Sequence, residues 1–464
     1  MRKAAWLVAL LSLSWLSCPA APTSGADGGV DGGATDAGPF DGGSADAGST
    51  SGASDAGLDA GSAGAFDAGP APTGELRPVP GEVTILQLEL PVGVFVEIGE
   101  AAIIVGPTGT LVLVDVGNGH HDDEVREAVR ELNTRWLTPA RGFPSRAPLQ
   151  VDWIILTHFH GDHVGGFDAL TSGADALTVT GGVVHRGFTD VGPGVNEGDY
   201  ESVCDALRGR LATRDVPLCV SAVPAPCNLS GVTSTFPATG CPGLRLGDLS
   251  RADDDAAGAP SFIDLGAGAR LTLLGAGGWA NGPGAAFPSA PFGVADSNEE
   301  NGRSVSGLVS FGAFRYLFAG DLTGSGAPTE PDVESHLVTT AAPLLGPGGV
   351  DVAHANHHAR KTSSNPTYVA ALAPADGHTR HVVAGINTAY ANSPHQEVLD
   401  AWGLGGRLAG GGFFVTRRAP AGATSPELVD AQGQVVIRTV EGGGGYWVQA
   451  PALGIARATP SVRR

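Results

Sequence analysis

The chain has 464 residues, enough for one large domain or two ordinary ones, and a formal net charge of −21 from 27 basic and 48 acidic side chains. That acidic balance argues against broad nonspecific affinity for nucleic acid or anionic lipid, although it leaves room for a local basic groove. In chain order, Arg2 and Lys3 precede an apolar core from Ala4 to Leu16. That core is too short to span a membrane and predicts a signal peptide over residues 1–20. Ser14-Trp15-Leu16-Ser17-Cys18 resembles a bacterial lipobox with Trp15 where leucine is usual. A lipid anchor at Cys18 is therefore expected, with plain cleavage after Ala20 as its rival. Residues 21–80 follow as an Asp/Gly/Ala-rich tether, with units such as Asp31-Gly32-Gly33 and Asp36-Ala37-Gly38. Such a segment buries too little apolar surface to offset its ordering entropy.

From Glu82 the pattern becomes strand-rich. Short apolar or alternating runs at Val83–Leu88, Val94–Ile98, Ala101–Val105 and Thr110–Asp115 are punctuated by Gly and Pro. A helix is predicted over Asp122–Leu137, then a buried strand at Val151–Leu156, a helix at Phe167–Ser172 and a strand at Leu177–Val184. Residues 190–262 are rich in Gly, Pro and Cys, show no sustained periodicity, and read as an insertion. Cys204, Cys219, Cys227 and Cys241 all fall there, and an even count in an exported chain suggests two disulfides of open connectivity. Strands return at Arg270–Leu274, Val305–Phe311 and Phe314–Ala319, followed by helices at Glu330–Leu345, Pro366–Leu372 and His395–Trp402. Late strands are predicted at Gly412–Arg417, Gln434–Thr439 and Tyr446–Gln449. Strands followed by alternating strands and helices, twice over, suggest an α/β protein of stacked sheets with helices outside.

The chemistry concentrates in Thr157-His158-Phe159-His160-Gly161-Asp162-His163, where three histidines and an aspartate fall within six residues of a chain holding only 13 histidines. Neutral imidazoles and carboxylates are preferred ligands of zinc and similar divalent metals. The motif follows a predicted strand, and α/β folds place their chemistry at strand C-terminal ends. Asp321 stands at the exit of another strand, where its carboxylate could bridge two metals. Asp351–His358 and Val183–His185 are further strands running into histidines. Lys361 offers a point charge for a substrate phosphate or carboxylate, and His395 a proton for a leaving group. Asp296, Glu299 and Glu300 read as a solvated acidic loop.

Together these motifs resemble the metallo-β-lactamase fold superfamily, and within it the hydrolase domain of the competence protein ComEC. The resemblance rests on Asp115 in Leu113-Val114-Asp115-Val116-Gly117, on His158–His163, and on Asn301 and Ser304 ahead of Gly320-Asp321. It extends to His357-His358-Ala359-Arg360-Lys361-Thr362-Ser363-Ser364 and to Asn392–His395. Ala359 and Arg360 depart from that branch's Gly-Ser. The resemblance implies a four-layer αββα sandwich over residues 81–455, interrupted by the insertion. It also implies two divalent ions, with zinc expected and manganese as the alternative. His158 and His160 would bind one ion, with His185 as a third ligand to be tested; Asp162, His163 and His357 would bind the other, and Asp321 would bridge them. Asp115 would orient a ligand from behind. The implied reaction is hydrolysis by a hydroxide held on the metals, with Asp162, Lys361 and His395 as the catalytic side chains. Phosphodiesters are the expected substrates, either small molecules or nucleic acid. Lactone, thioester or β-lactam hydrolysis is the alternative, and a non-catalytic metal-containing surface-binding module the second. The expected location is extracytoplasmic, as a periplasmic or cell-surface lipoprotein or a secreted protein. Membrane contact would come only through Cys18, and no protein partner is expected.

Overall fold

The computed structural model describes residues 74–92, 98–186, 197–209, 211, 213–215, 262–277, 279–280, 300–325, 331–390 and 392–461. The chain divides into a unit over Met1–Ala63 and a second over Gly64–Arg464, and every described residue belongs to the second. The expected signal segment with Cys18, the tether up to residue 73 and most of the expected strand at 94–98 lie outside the described residues, as do Cys219, Cys227, Cys241, Asp296 and Glu299.

The first half of the fold supplies β1 (Thr84–Gln87), β2 (Ala102–Val105), β3 (Leu111–Val114), β4 (Gln150–Leu156), β5 (Thr178–His185) and β6 (Thr213–Asp215). Among the described residues, four helices accompany them: α1 (Asp122–Glu131), α2 (Gly161–Val164), α3 (Phe167–Thr171) and α4 (Glu197–Gly209). The second half supplies β7 (Phe262–Gly266), β8 (Ala269–Ala276), β9 (Trp279–Ala280), β10 (Ser306–Phe311), β11 (Phe314–Phe318), β12 (Val352–His354), β13 (His381–Ala384), β14 (Gly412–Val415) and β15 (Leu428–Asp430). Its helices are α5 (Val333–Thr340), α6 (Ala342–Leu345), α7 (Pro366–Leu372) and α8 (Gln396–Gly403). Last come β16 (Val435–Thr439), β17 (Gly445–Ala450) and β18 (Ile455–Pro460).

One sheet runs β18-β17-β16-β1-β2-β3-β4-β5-β6, and the other β15-β14-β13-β12-β11-β10-β8-β7, with β9 paired to β8. Each half opens with antiparallel strands and then turns parallel: β3 to β6 in the first, β11 to β15 in the second. Parallel pairing needs crossovers, and the helices in those crossovers cover the outer faces. Alternation along the strands sorts the side chains. Ile104, Val112, Ile155 and Leu271, Val309, Val383 of the two sheets share one core, while Ile103, Leu113 and Ile154 pack outward with Val125, Val129 and Phe167 of the helices. On the other side Leu317, Ala353 and Phe413 pack against Leu337, Val369 and Trp402. These layers make the four-layer αββα sandwich.

Several boundaries differ from the sequence reading. The segment 197–209, expected to be irregular insertion, is helix α4, and its Tyr200, Val203, Cys204 and Leu207 are buried in the first helix–sheet layer. Those four side chains stand at the i, i+3, i+4 and i+7 spacing of a helix face, a local signal that the Gly, Pro and Cys content of the surrounding stretch obscured. Residues 74–80, counted as tether, are partly packed, since Leu76 is fully buried against Val436 and Trp447. The fold also continues past residue 455 into β18, an edge strand with alternating Arg and Ala that lacks an apolar pattern. The expected helix at 122–137 ends its α-helical part at Glu131 and finishes in a wider π turn over Leu132–Trp136.

Leu271 of β8 lies at the centre of the inter-sheet core with no exposed surface. Leu271→Ala is expected to lower stability by about 2–5 kcal/mol, read as a shift in urea midpoint at unchanged slope.

Candidate metal centre

β3 and β4 lie side by side and parallel, so their C-terminal ends open on the same edge. Asp115 follows β3 directly, adopts left-handed backbone (φ 55°) and turns its carboxylate towards the next loop. Thr157 donates to it twice, from N to Oδ1 and from Oγ1 to Oδ2, both at 2.7 Å. His163 Nδ1 donates to the same Oδ2 at 2.8 Å. This fixes the His163 tautomer and leaves Nε2 for the centre. The short helix α2 brings His163 back: His160 caps it in extended conformation, and its carbonyl accepts from the N–H of His163 and Val164. Gly165 must be glycine, because a Cβ there would fall 2.5 Å from the Gly161 carbonyl oxygen.

The second half contributes from β11 and β12. Asp321 follows β11, donates its backbone N–H to Ser304 Oγ at 3.1 Å, and is buried. After β12 the chain places His357, His358 and Ala359 in consecutive left-handed conformations, with φ between 50° and 56°. Non-glycine residues hold such angles only where their surroundings compel it. Here the buried Glu334 does so: its carboxylate accepts from Asn356 Nδ2, Ser364 N and Asn365 N at 2.7–2.8 Å. Burial pushes the Glu334 carboxyl up to about 8 in spite of those donors.

Two donor groups result, each with ligand atoms within 4.8 Å of one another: His158, His160 and Asp321, and Glu100, His163, Asp321 and His358. Asp321 belongs to both. Its Oδ2 is 3.8 Å from His158 Nε2 and 3.2 Å from His358 Nε2, while its Oδ1 lies 3.3 Å from His163 Nε2. Asp162 Oδ2 is 3.3 Å from His358 Nε2 and accepts from the Tyr390 hydroxyl at 3.2 Å. Tyr390 stacks on the His358 ring, with centroids 4.0 Å apart.

Of the residues singled out in the sequence, the structure brings together His158, His160, Asp162, His163 and Asp321. His357 stands at the edge, with Nε2 4.0 Å from Asp321 Oδ2 and 3.3 Å from Asn301 Nδ2, and Nδ1 2.6 Å from Thr362 Oγ1. His358, passed over in the sequence, points into the cluster. His185 is fully buried at the end of β5 with its ring 6.4 Å from Phe159, and neither donor group includes it. Lys361 and His395 line a neighbouring cavity of about 250 Å³ with His357, Arg360, Thr362, Tyr390, Asn392 and Ser393.

Glu100 is the residue sequence reasoning missed. It is buried between His354 Nε2, in close ion-pair contact with Oε1, and His358 Nδ1, 2.9 Å from Oε2. Burial alone would raise its carboxyl, but the two imidazoles hold it at about 2. Glu300 corrects another reading. Far from solvated, it is fully buried, pairs bidentately with Arg186 at 2.6 and 2.7 Å, and accepts from Phe159 N at 2.8 Å. It therefore pins the middle of the histidine loop.

The donors fit divalent ions. Asp321 Oδ1 is buried with no aligned hydrogen bond, its near neighbour being His163 Nε2 at 3.3 Å, and an ionised oxygen so placed costs free energy unless a cation faces it. Burial opposes charge on His163 and His358, yet neighbouring carboxylates, Asp321 foremost, hold both imidazoles well above their ordinary pKa. The cluster thus demands positive charge, and metal cations can replace those protons.

Residues 97–218, which span β2 to β6 and the whole His158–His163 loop, match the family model of the metallo-beta-lactamase superfamily. Over that stretch the chain matches a metallo-beta-lactamase superfamily domain. Members of the superfamily are generally hydrolases and typically bind divalent metals. The fold is similar to that of Tm1679, a metal-dependent hydrolase of the beta-lactamase superfamily, at 12% identity over 72% of this chain and 95% of that one, with a TM-score of 0.31. A metallo-beta-lactamase HARLDQ-motif mutant from Cronobacter sakazakii shares 16% identity over 55% and 70% of the two chains, with a TM-score of 0.24. Human tRNase Z, short form, shares 14% over 59% and 77%, with a TM-score of 0.25. At these scores no residue role is carried over from them. No curated protein matches the chain.

Because Asp321 joins both donor groups of the domain, Asp321→Ala is expected to remove all specifically bound metal, whereas His160→Ala removes one equivalent. Metal analysis of the dialysed proteins reads the difference. Glu300→Ala strands Arg186 in the interior and is expected to cost about 3–5 kcal/mol, measured by chemical denaturation.

Proposed function

We propose that this protein is an exported, metal-dependent hydrolase of phosphodiesters. The observation that carries the hydrolase reading is the pair of buried donor groups meeting at Asp321. In this reading His158 and His160 would hold one divalent ion and His163 and His358 another, with Asp321 available to both; zinc suits the imidazole-rich set, with manganese as the alternative. Such ions supply positive charge to a substrate oxygen and acidify water for attack.

The protein's own side chains do the rest. Asp162, oriented by the Tyr390 hydroxyl, accepts a proton from the attacking water. Asp115 and Glu100 hold the His163 and His358 rings from behind, so the ligand atoms are placed before substrate arrives. Lys361 draws a substrate anion into the adjoining cavity. Burial lowers the pKa of His395, with Glu397 opposing and Arg360 and Lys361 reinforcing the effect. His395 is thus neutral at neutral pH and suits a hydrogen-bond donor to the leaving group better than an acid.

The diester reading is supported by that cavity, which no acidic side chain lines among the described residues. The resemblance of His357–Ser364 to the ComEC hydrolase segment points the same way. Export rests on the N-terminal apolar segment and on the tether that follows it. Acyl substrates remain the competing class, since a carboxylate-bearing lactam or lactone would meet the same Lys361.

Turnover of bis-p-nitrophenyl phosphate, a lactone and a chromogenic cephalosporin by the metal-loaded protein separates these readings. Diester hydrolysis is expected to dominate and to fall at least about a hundred-fold in Asp162→Asn. Dominant lactone or lactam turnover would move the assignment to acyl transfer, and no turnover of any of the three would refute the enzyme.

A further inference from the structure

The cavity beside the metal centre carries more positive charge than a diester alone requires. Its walls are His357, Arg360, Lys361, Thr362, Tyr390, Asn392, Ser393 and His395. Arg360 and Lys361 have no carboxylate partner among the described residues, in a chain with 48 acidic and 27 basic side chains. Glu397 is near enough to act on His395 but does not line the cavity. A phosphodiester brings one negative charge, and that charge belongs at the metal centre, next to Asp321. Two permanent cations therefore remain for some other group.

The two walls are built to hold a shape. His395 N donates to Ala359 O at 2.9 Å, joining the Arg360 segment to the wall that carries Asn392 and Ser393. The Arg360 backbone is fixed on both sides, its N donating to His357 O and its carbonyl accepting from Ser363 N and Oγ at 2.9–3.0 Å. Its guanidinium lies 5.9 Å from the centre of the Tyr390 ring, the same ring that stacks on His358. A guanidinium so placed presents a fork to a tetrahedral oxyanion, and Lys361 adds a point charge. Two cations match a dianion better than the single charge of a carboxylate.

We propose that Arg360 and Lys361 form a subsite for a phosphomonoester on the substrate, so that the preferred diesters carry a second, terminal phosphate. The kinetic consequence rests on the diesterase reading above; the binding does not. The group could belong to a nucleotide or to a phosphorylated polyol headgroup, which present the same dianion.

Matched substrate pairs test this. One pair is thymidine 5′-(p-nitrophenyl phosphate) with and without a 3′-phosphate; the other is glycerophosphoinositol with and without a 4-phosphate. In the wild type, kcat/KM is expected to be roughly ten-fold or more higher for the phosphorylated member of at least one pair. The pair that shows it identifies the source, and Arg360→Ser is expected to collapse the ratio. Equal kcat/KM within both pairs, or a ratio that survives Arg360→Ser, overturns the proposal. Inorganic phosphate binding by calorimetry supplies a readout without turnover. Affinity is expected to fall about ten-fold or more between wild type and Arg360→Ser/Lys361→Ala. An unchanged affinity overturns the subsite whether or not any diester is cleaved, while turnover of bis-p-nitrophenyl phosphate reports on the hydrolase reading separately.

Discussion

Four carboxylates, those of Glu100, Asp115, Asp162 and Asp321, are gathered in one small volume at the mouth of the sandwich. Glu100, Asp115 and Asp321 are buried outright. Unpaired charges cannot stay ionised in such a place, so each carboxylate must be met by a hydrogen-bond donor or a cation. Imidazoles meet them: His163 against Asp115, His354 and His358 against Glu100, and His358 against Asp162 and Asp321. Part of the local architecture answers to that requirement, including the left-handed backbone at Asp115.

The sandwich makes the gathering possible. Parallel strands release their C-terminal ends on one edge, and both sheets do so: β3 and β4 deliver Asp115 and the histidine loop, β11 and β12 deliver Asp321 and His358. Strand ends alone would leave the loops loose. Two buried acids outside the ligand cluster fasten them. Glu300 with Arg186 ties the backbone at Phe159 to the segment before β10, and Glu334 on α5 gathers the backbone of Ser364 and Asn365 with the Asn356 side chain. These are expensive groups to bury, and their geometry is nearly saturated with donors, which is the condition under which burial becomes tolerable.

Legibility in the sequence followed locality. Many strands of both sheets could be read because alternation and short apolar runs are local signals, whereas β13, β15, β18 and the short β6, β7 and β9 were not; the histidine loop could be read because its candidate ligands lie within six residues. Asp115 and Asp321 could be picked out because each ends an apolar strand. The choice between His357 and His358 could not be read, since one residue of offset depends on backbone angles that Glu334 imposes from a different helix. Glu100 carried no signal, because a lone acid before a strand has no pattern, and its partners His354 and His358 lie more than 250 positions away. Glu300 was misread for the opposite reason: it sits beside acidic neighbours that look like a solvated loop, and Arg186, which explains it, is distant in the chain.

The histidines are also backed differently, and this sets the two halves of the centre apart. His163 and His358 each turn Nδ1 to a buried carboxylate, Asp115 at 2.8 Å and Glu100 at 2.9 Å. His158 turns Nδ1 to the Thr157 hydroxyl at 3.0 Å, and His160 Nδ1 faces His158 Nε2 at 3.1 Å. A carboxylate behind an imidazole raises the basicity of the ring's other nitrogen, and a neutral hydroxyl does so far less. The Nε2 atoms of His163 and His358 are therefore the stronger donors, and burial alone depresses His158 further while His163 repels its proton. A centre in which His163 and His358 are backed by carboxylates and His158 by a hydroxyl is asymmetric before anything binds, with Asp321 as the element its two donor groups share.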